Sequence, residues 1–361
     1  METTNKQVLK QVNELPTPTW NHLEINGIDI EVPVAEGAAD AAALEGRFAG
    51  ATCEPPVGGA GVEAQGWLEA AAGEVCRVEV PAGEVADGPI VVDMAQVGRA
   101  AFALDVVVGA GARASVVLVG NAPASEALGT TSGWSVRIAV EEDARLDLFS
   151  VVACDAPQML DNVGLVAQKG ANVHVKQYVL SAQLSSTGFR CDLVGDGSTL
   201  ELDTRYLGRG TQTLDLGHVV RQIGKHTLCT MGFSGVLADD AFKSLRDTID
   251  LVRGCKGSKG SENECVLLAG DGVGNQSLPV ILCDEDDVAG DHGATVGEIS
   301  PEQRAYLVSR GLAPEDIPAL VMESTFAAAF EDAPVPQARA AVRAAAERVL
   351  GADVVADMLG E

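Results

Sequence analysis

From about residue 86 to 290 the chain alternates apolar and polar positions in short runs closed by Gly, Asp or Asn. Apolar residues two apart on a short segment are what a half-buried strand requires, because successive side chains point to opposite faces. One element recurs. Ala112-Arg113-Ala114-Ser115-Val116 is followed by Ala144-Arg145-Leu146-Asp147-Leu148, Ala171-Asn172-Val173-His174-Val175 and Ser198-Thr199-Leu200-Glu201-Leu202. The steps are 32, 27 and 27 residues. Such a period predicts stacked coils in which each repeat buries its face on the next. An antiparallel sandwich also has short strands separated by turns and stays open as an alternative.

The flanks differ from this middle. A polar helix is predicted over 5–13, ended by Pro16 and Pro18, then short strands over 23–25 and 28–32. An Ala-rich stretch at 36–46 and a Gly-rich one at 57–66 follow. Within the repeats, residues 251–264 (LVRGCKGSKGSENE) combine Gly, Ser and charge and are expected to form a mobile loop between coils. Strands over 265–268 and 278–283 come after it. From Ser300 the pattern turns helical. Ser300-Pro301-Glu302-Gln303 is a capping box with Pro at the first helical position, and Gly311 is the stop. A second helix is expected from Asp316, and a third over 336–350 ending at Gly351. The reading is thus three parts: an irregular α/β module (1–85), a repetitive β core (86–298) and a helical domain (299–361).

Composition narrows the function. Lys plus Arg number 25 against 52 Asp plus Glu, a net charge of −27 that opposes nucleic acid and anionic lipid surfaces. No run of about 20 apolar residues could span a bilayer. The opening METTNKQVLKQVNELP has no apolar h-region, so a cytoplasmic location is expected. Eight cysteines are scattered without a C-x-x-C pair, which reads as reduced thiols, most of them buried as small hydrophobes. The Gly270–Gly274 stretch lacks a G-K-[ST] ending, so no nucleotide is expected on this chain.

Three segments together resemble the SufB/SufD family of iron–sulfur cluster assembly proteins. They are Pro18-Thr19-Trp20-Asn21; Asp286-Asp287-Val288 with Asp291-His292-Gly293-Ala294-Thr295-Val296-Gly297; and Tyr306-Leu307-Val308-Ser309-Arg310-Gly311-Leu312. The resemblance implies a mainly β fold, a right-handed parallel β-helix core with a C-terminal α-helical domain. It also implies a non-catalytic subunit acting with a SufC ATPase and with a SufB-like chain or a second copy of itself. A transient iron–sulfur cluster would form at their shared interface.

On that resemblance His292 is the leading candidate ligand, with Asp291 beside it as an oxygen donor and Cys283 as a thiolate. Tyr306, Ser309, Arg310, Gly311, Ile317, Leu320, Val321 and Phe330 are expected to carry the SufC docking surface. Two departures stand out. Gly290 replaces a cysteine common two residues before the histidine, and Val273 falls where SufB-type chains carry a cluster-related cysteine. Both point to the SufD branch. Cys255 and Cys265, flanking the polar loop, are further candidates for accessible sulfur. His174 falls on an outward strand position, where an exposed residue is expected. Two other functions remain: a structural clamp on SufC, and a β-helix carbohydrate-active enzyme, which three Trp and three Tyr furnish poorly.

Overall fold

The computed structural model describes residues 5–17, 21–35, 47–48, 51–97, 101–121, 131–314 and 317–361. Strand makes up 48% of the described residues, and the body is a parallel β-solenoid of about seven turns. Each turn adds one strand to each of two eight-stranded sheets. The first holds β4 (Ile90–Asp93), β6 (Arg113–Gly120), β8 (Arg145–Val152), β10 (Asn172–Val179), β12 (Thr199–Gly208), β14 (Leu228–Ala238), β16 (Lys259–Ala269) and β18 (Ala289–Glu298). The second holds β3 (Cys76–Val80), β5 (Ala101–Val108), β7 (Thr131–Val140), β9 (Gln158–Ala167), β11 (Leu184–Leu193), β13 (Thr213–Gln222), β15 (Phe242–Leu251) and β17 (Gly274–Cys283).

The recurring sequence element occupies one position in successive coils. Arg113 pairs with Arg145, Arg145 with Asn172, and Asn172 with Thr199, all in parallel. That pairing excludes the antiparallel sandwich. Because paired residues share a face, rows of side chains run along the solenoid axis. One inner row reads Val116, Leu148, Val175, Leu202, Met231, Glu262, His292. Its first five members are almost wholly buried in the main apolar core.

Before the solenoid, β1 (Lys6–Val12) pairs antiparallel with β2 (Ile28–Pro33), and α1 (Val62–Ala72) packs against the strand stack; a single-turn helix α2 (Met94–Val97) follows β4. The helix expected over 5–13 is therefore a strand. Its Leu9 and Val12 are buried with Ile30, Val32, Trp67 and Leu68, so tertiary packing overrides a weak local preference. Residues 21–23 form a 3-10 turn in place of the expected strand start. The Gly-rich stretch at 57–66 runs into α1, a helix the glycines concealed. Asn13 anchors the module: its amide donates to Asp215 Oδ2 (2.6 Å) and Ser186 Oγ (3.1 Å). Any side chain at Gly188 or Gly217 would collide with it. The motif residues 18–20, the Ala-rich 36–46 and Asp316 lie outside the described residues.

The segment over 251–264 is also a correction. Only 252–258 forms a turn, with Gly254 and Gly257 at positive φ, and β16 begins at Lys259. The turn is tied to its neighbour by Gly257 N donating to Asp287 O (2.6 Å) and Gly254 N to Glu285 Oε2 (2.9 Å).

After the solenoid come α3 (Pro301–Ser309), α4 (Ile317–Asp332), α5 (Pro336–Leu350) and α6 (Ala352–Leu359). The capping box is present: Gln303 N donates to Ser300 Oγ (3.1 Å), and the Gln303 side chain accepts from Ser300 N (2.9 Å). The last three helices lie on the outer face of the first sheet. There Phe326, Phe330 and Val342 share a buried cluster with Val119, Phe149, Tyr178 and Leu207. Asp332 accepts hydrogen bonds from Lys176 and from Tyr178 Oη (2.6 Å), fastening α4 to β10.

Candidate functional site

The last coil is open. Among the described residues β18 has one hydrogen-bonded neighbour, β16, and β17 likewise has only β15, so both present a free edge. Strand β7, within the stack, is buried at every residue, whereas β18 has no buried residue at all. Gly290, Gly293 and Gly297 deprive β18 of side chains that could cover itself. The motif strand is thus a bare surface strand, and an unpaired edge of this length is a template for another chain.

His292 lies on β18, exposed. Its register partner is Glu262, which faces the solenoid lumen, so His292 extends the inner row at the open mouth. Asp291 pairs with Ser261 on the opposite, outer face. Adjacent residues on a strand cannot turn to one ion without breaking the pleat. Strand alternation therefore sets His292 and Asp291 on opposite faces of β18. Cys283 is exposed at the end of β17, on the other sheet, with Sγ 3.3 Å from Glu285 O. Among the described residues no three His, Cys, Asp or Glu groups converge so as to hold a metal ion.

Behind His292 the lumen turns polar, which the sequence reading missed. Lys243 of β15 is fully buried and ion-paired with Glu264 of β16. Lys243 Nζ also donates to Ser277 Oγ (3.0 Å), and Tyr206 Oη donates to Glu264 Oε1 (2.8 Å). Asp247, 2% exposed, leaves Oδ1 without a hydrogen-bond partner. Burial, then the charges of Glu262 and Glu264, hold its carboxyl well above the usual carboxylate range. Burial and the Glu264 charge push Glu262 up to about 7. Deeper in, His218 binds Gln177 Oε1 (2.9 Å), and burial drives its imidazole down to about 3. A signal for this cluster was present: Gly260, Glu262, Glu264 and Val266 keep the period of two, but the Gly, Ser and charge of residues 251–264 made that segment read as a loop.

The expected docking residues divide. Tyr306 (61% exposed), Ser309, Arg310, Gly311 and Leu320 are at the surface, and α3 buries none of its residues. Ile317 and Phe330 are buried within the chain, and Val321 is half-buried against the outer-face cluster. Of the cysteines, Cys255 is buried in the core rather than accessible, while Cys265 is exposed on β16. Cys154, Cys191 and Cys229 are also buried, and burial pushes the Cys229 thiol up to about 12. Val273 packs partly buried against the core. His174 sits on the outer face, 3.3 Å from Glu201.

These features define a class: a parallel β-solenoid with an apolar trunk, a polar open mouth and a helical tail folded back along one flank. Residues 94–325 match the family described as "SUF system FeS cluster assembly, SufBD core domain". The chain belongs to that family. It is similar to the iron–sulfur cluster assembly protein SufD of Bacillus subtilis, 29% identical over 144 residues, covering 40% of this chain and 33% of the relative. It is also similar to SufBD family proteins of Mycobacterium leprae (30% over 121 residues, 34% and 14%) and Pyrococcus horikoshii (27% over 142 residues, 39% and 31%). The matched stretch thus spans about a third or less of each relative's length. No helix among the described residues is long and apolar enough to cross a membrane.

Proposed function

We propose that this chain is a non-catalytic, SufD-like subunit of an iron–sulfur cluster assembly complex. It acts with a SufC-type ATPase and with a SufB-like chain or a second copy of itself. The observation that carries this is continuity. Motif strand β18 is the uncovered end of the solenoid, and only Ile299 and Ser300 separate it from α3, which buries nothing. A partner gripping Tyr306, Ser309, Arg310 and Leu320 would pull directly on the strand that holds His292, while α4 stays fastened by Asp332. In this reading the nascent cluster is cargo at the shared interface, His292 supplies one ligand, thiolates come chiefly from the partner, and no nucleotide binds this chain. A cytoplasmic location follows from that partnership.

Co-expression with a SufC ATPase and a SufB-like chain, followed by size-exclusion chromatography, tests it. A stable complex that Tyr306→Asp weakens is expected; no complex under co-expression overturns the reading. A second reading, a clamp on SufC without cluster contact, is favoured by Val273 and Gly290 standing where thiols would. It predicts that His292→Ala leaves cluster yield of the whole complex unchanged.

A further inference from the structure

We infer that Glu262, one coil behind the motif strand, is the oxygen donor that shares a divalent metal ion with His292 at the mouth of the lumen. The inference rests on His292 being the functional residue proposed above, and it adds the residue that works with it. Strand alternation sends Asp291 to the outer face and leaves Glu262 as the carboxylate on the same side as His292. Paired residues on adjacent strands lie about 4.8 Å apart, close enough for an imidazole and a carboxylate to converge on one ion at about 2.0–2.2 Å.

The charge around Glu262 is an independent observation. Among the described residues, this end of the lumen holds three carboxyl groups, Asp247, Glu262 and Glu264, and one ammonium, Lys243. Lys243 is ion-paired with Glu264 and reaches the other two only through its field, while Asp247 and Glu262 hydrogen-bond each other. Asp247 is buried with Oδ1 unpartnered, which a folded protein tolerates poorly unless something polar or cationic completes it. A dication bound at Glu262 reaches this hydrogen-bonded pair across a short, weakly screened distance. One imidazole and one carboxylate make half of a coordination sphere, suited to ferrous iron and its neighbours in the first transition row. Water, or a chain paired along the free edge of β18, completes the sphere. That agrees with the lack of a self-sufficient three-ligand site among the described residues.

The test uses the full chain without partners, titrated with Co²⁺ and followed by its visible ligand-field absorption, with Mn²⁺ by calorimetry as the second probe. Wild type should bind one equivalent. His292→Ala and Glu262→Gln should each weaken binding at least about tenfold, and Asp291→Asn should stay within about twofold of wild type. Glu262→Gln keeps the shape and removes a crowded charge, so its melting temperature should not fall; Glu262→Asp, which retains the carboxylate, should recover part of the affinity. Wild-type affinity in Glu262→Gln, an Asp291→Asn loss equal to that of His292→Ala, or no binding by wild type overturns the assignment. The readout needs neither SufC nor a SufB-like chain, so its failure is distinct from a failure of co-purification.

Discussion

The two ends of one solenoid are built for different purposes. In the early coils the inner rows are mostly Val, Leu and Ala, with Trp134 and Asp161 as exceptions, and a strand such as β7 is sealed on both faces, by the lumen within and by packed chain without. In the last two coils the same rows carry Lys243, Asp247, Glu262, Glu264, Ser277 and His292, and the final strands are bare. The parallel strand pairing is unchanged from one end to the other. Rigidity comes from the apolar trunk, and the mouth inherits its geometry while holding groups that no apolar core would choose. The cost of burying those charges falls where the fold no longer needs packing to propagate the stack.

The comparison can be broken most severely at Lys243. Lys243→Ala leaves Glu264 buried without its partner and should cost roughly 3–5 kcal/mol in urea unfolding. A loss under about 1 kcal/mol would mean that water reaches the cluster and that the mouth is not a dry, charge-paired interior.

The next largest effect is a pH dependence from within the trunk. Asp161 is buried on the inner face beside Trp134, whose Nε1 donates to Oδ1 (2.5 Å), and burial pushes its carboxyl from 3.8 up to about 7. The folded state therefore binds this proton more tightly than the unfolded state does. Its contribution is most favourable at low pH, declines as pH rises from about 4 to about 7, and is constant above that, a change on the order of 4 kcal/mol. Asp161→Asn should remove that component, so the variant gains on wild type between those pH values in chemical denaturation. Parallel pH profiles for the two proteins would refute the burial argument.

The smallest effect is the sharpest contrast. Leu146→Ala in the sealed trunk should cost about 2–5 kcal/mol, because a cavity is left in packed surroundings. Val296→Ala on β18, where the side chain is 55% exposed, should stay within about 0.5 kcal/mol. Equal losses in isolated chain would show that β18 is covered.

Much of this was legible in the residues. The spacing of Ala112, Ala144, Ala171 and Ser198 is the coil register itself, because a parallel stack places equivalent residues at one repeat. Ser300–Gln303 and Gly311 announced α3 through local capping chemistry that needs no tertiary partner. The motif at 286–297 carried the family resemblance and singled out His292, while the strand that bears it, β18, was not foreseen. The segment at 5–13 was misread because its strand pairing is decided by contact with 28–33 and α1, which lie beyond any local window.

What the sequence alone determined is therefore the periodic scaffold and its helical ending, since both follow from short-range patterns of polarity and caps. The tertiary structure alone decided which face each polar residue meets. Charge within a strand says nothing about whether the outside is solvent or the inside is a lumen holding a compensating lysine. Glu262 read as loop, Asp291 as the partner of His292, and Phe330 as docking surface. Register, alternation and helix packing reassigned all three, because contacts between coils are set by the stacking of distant segments.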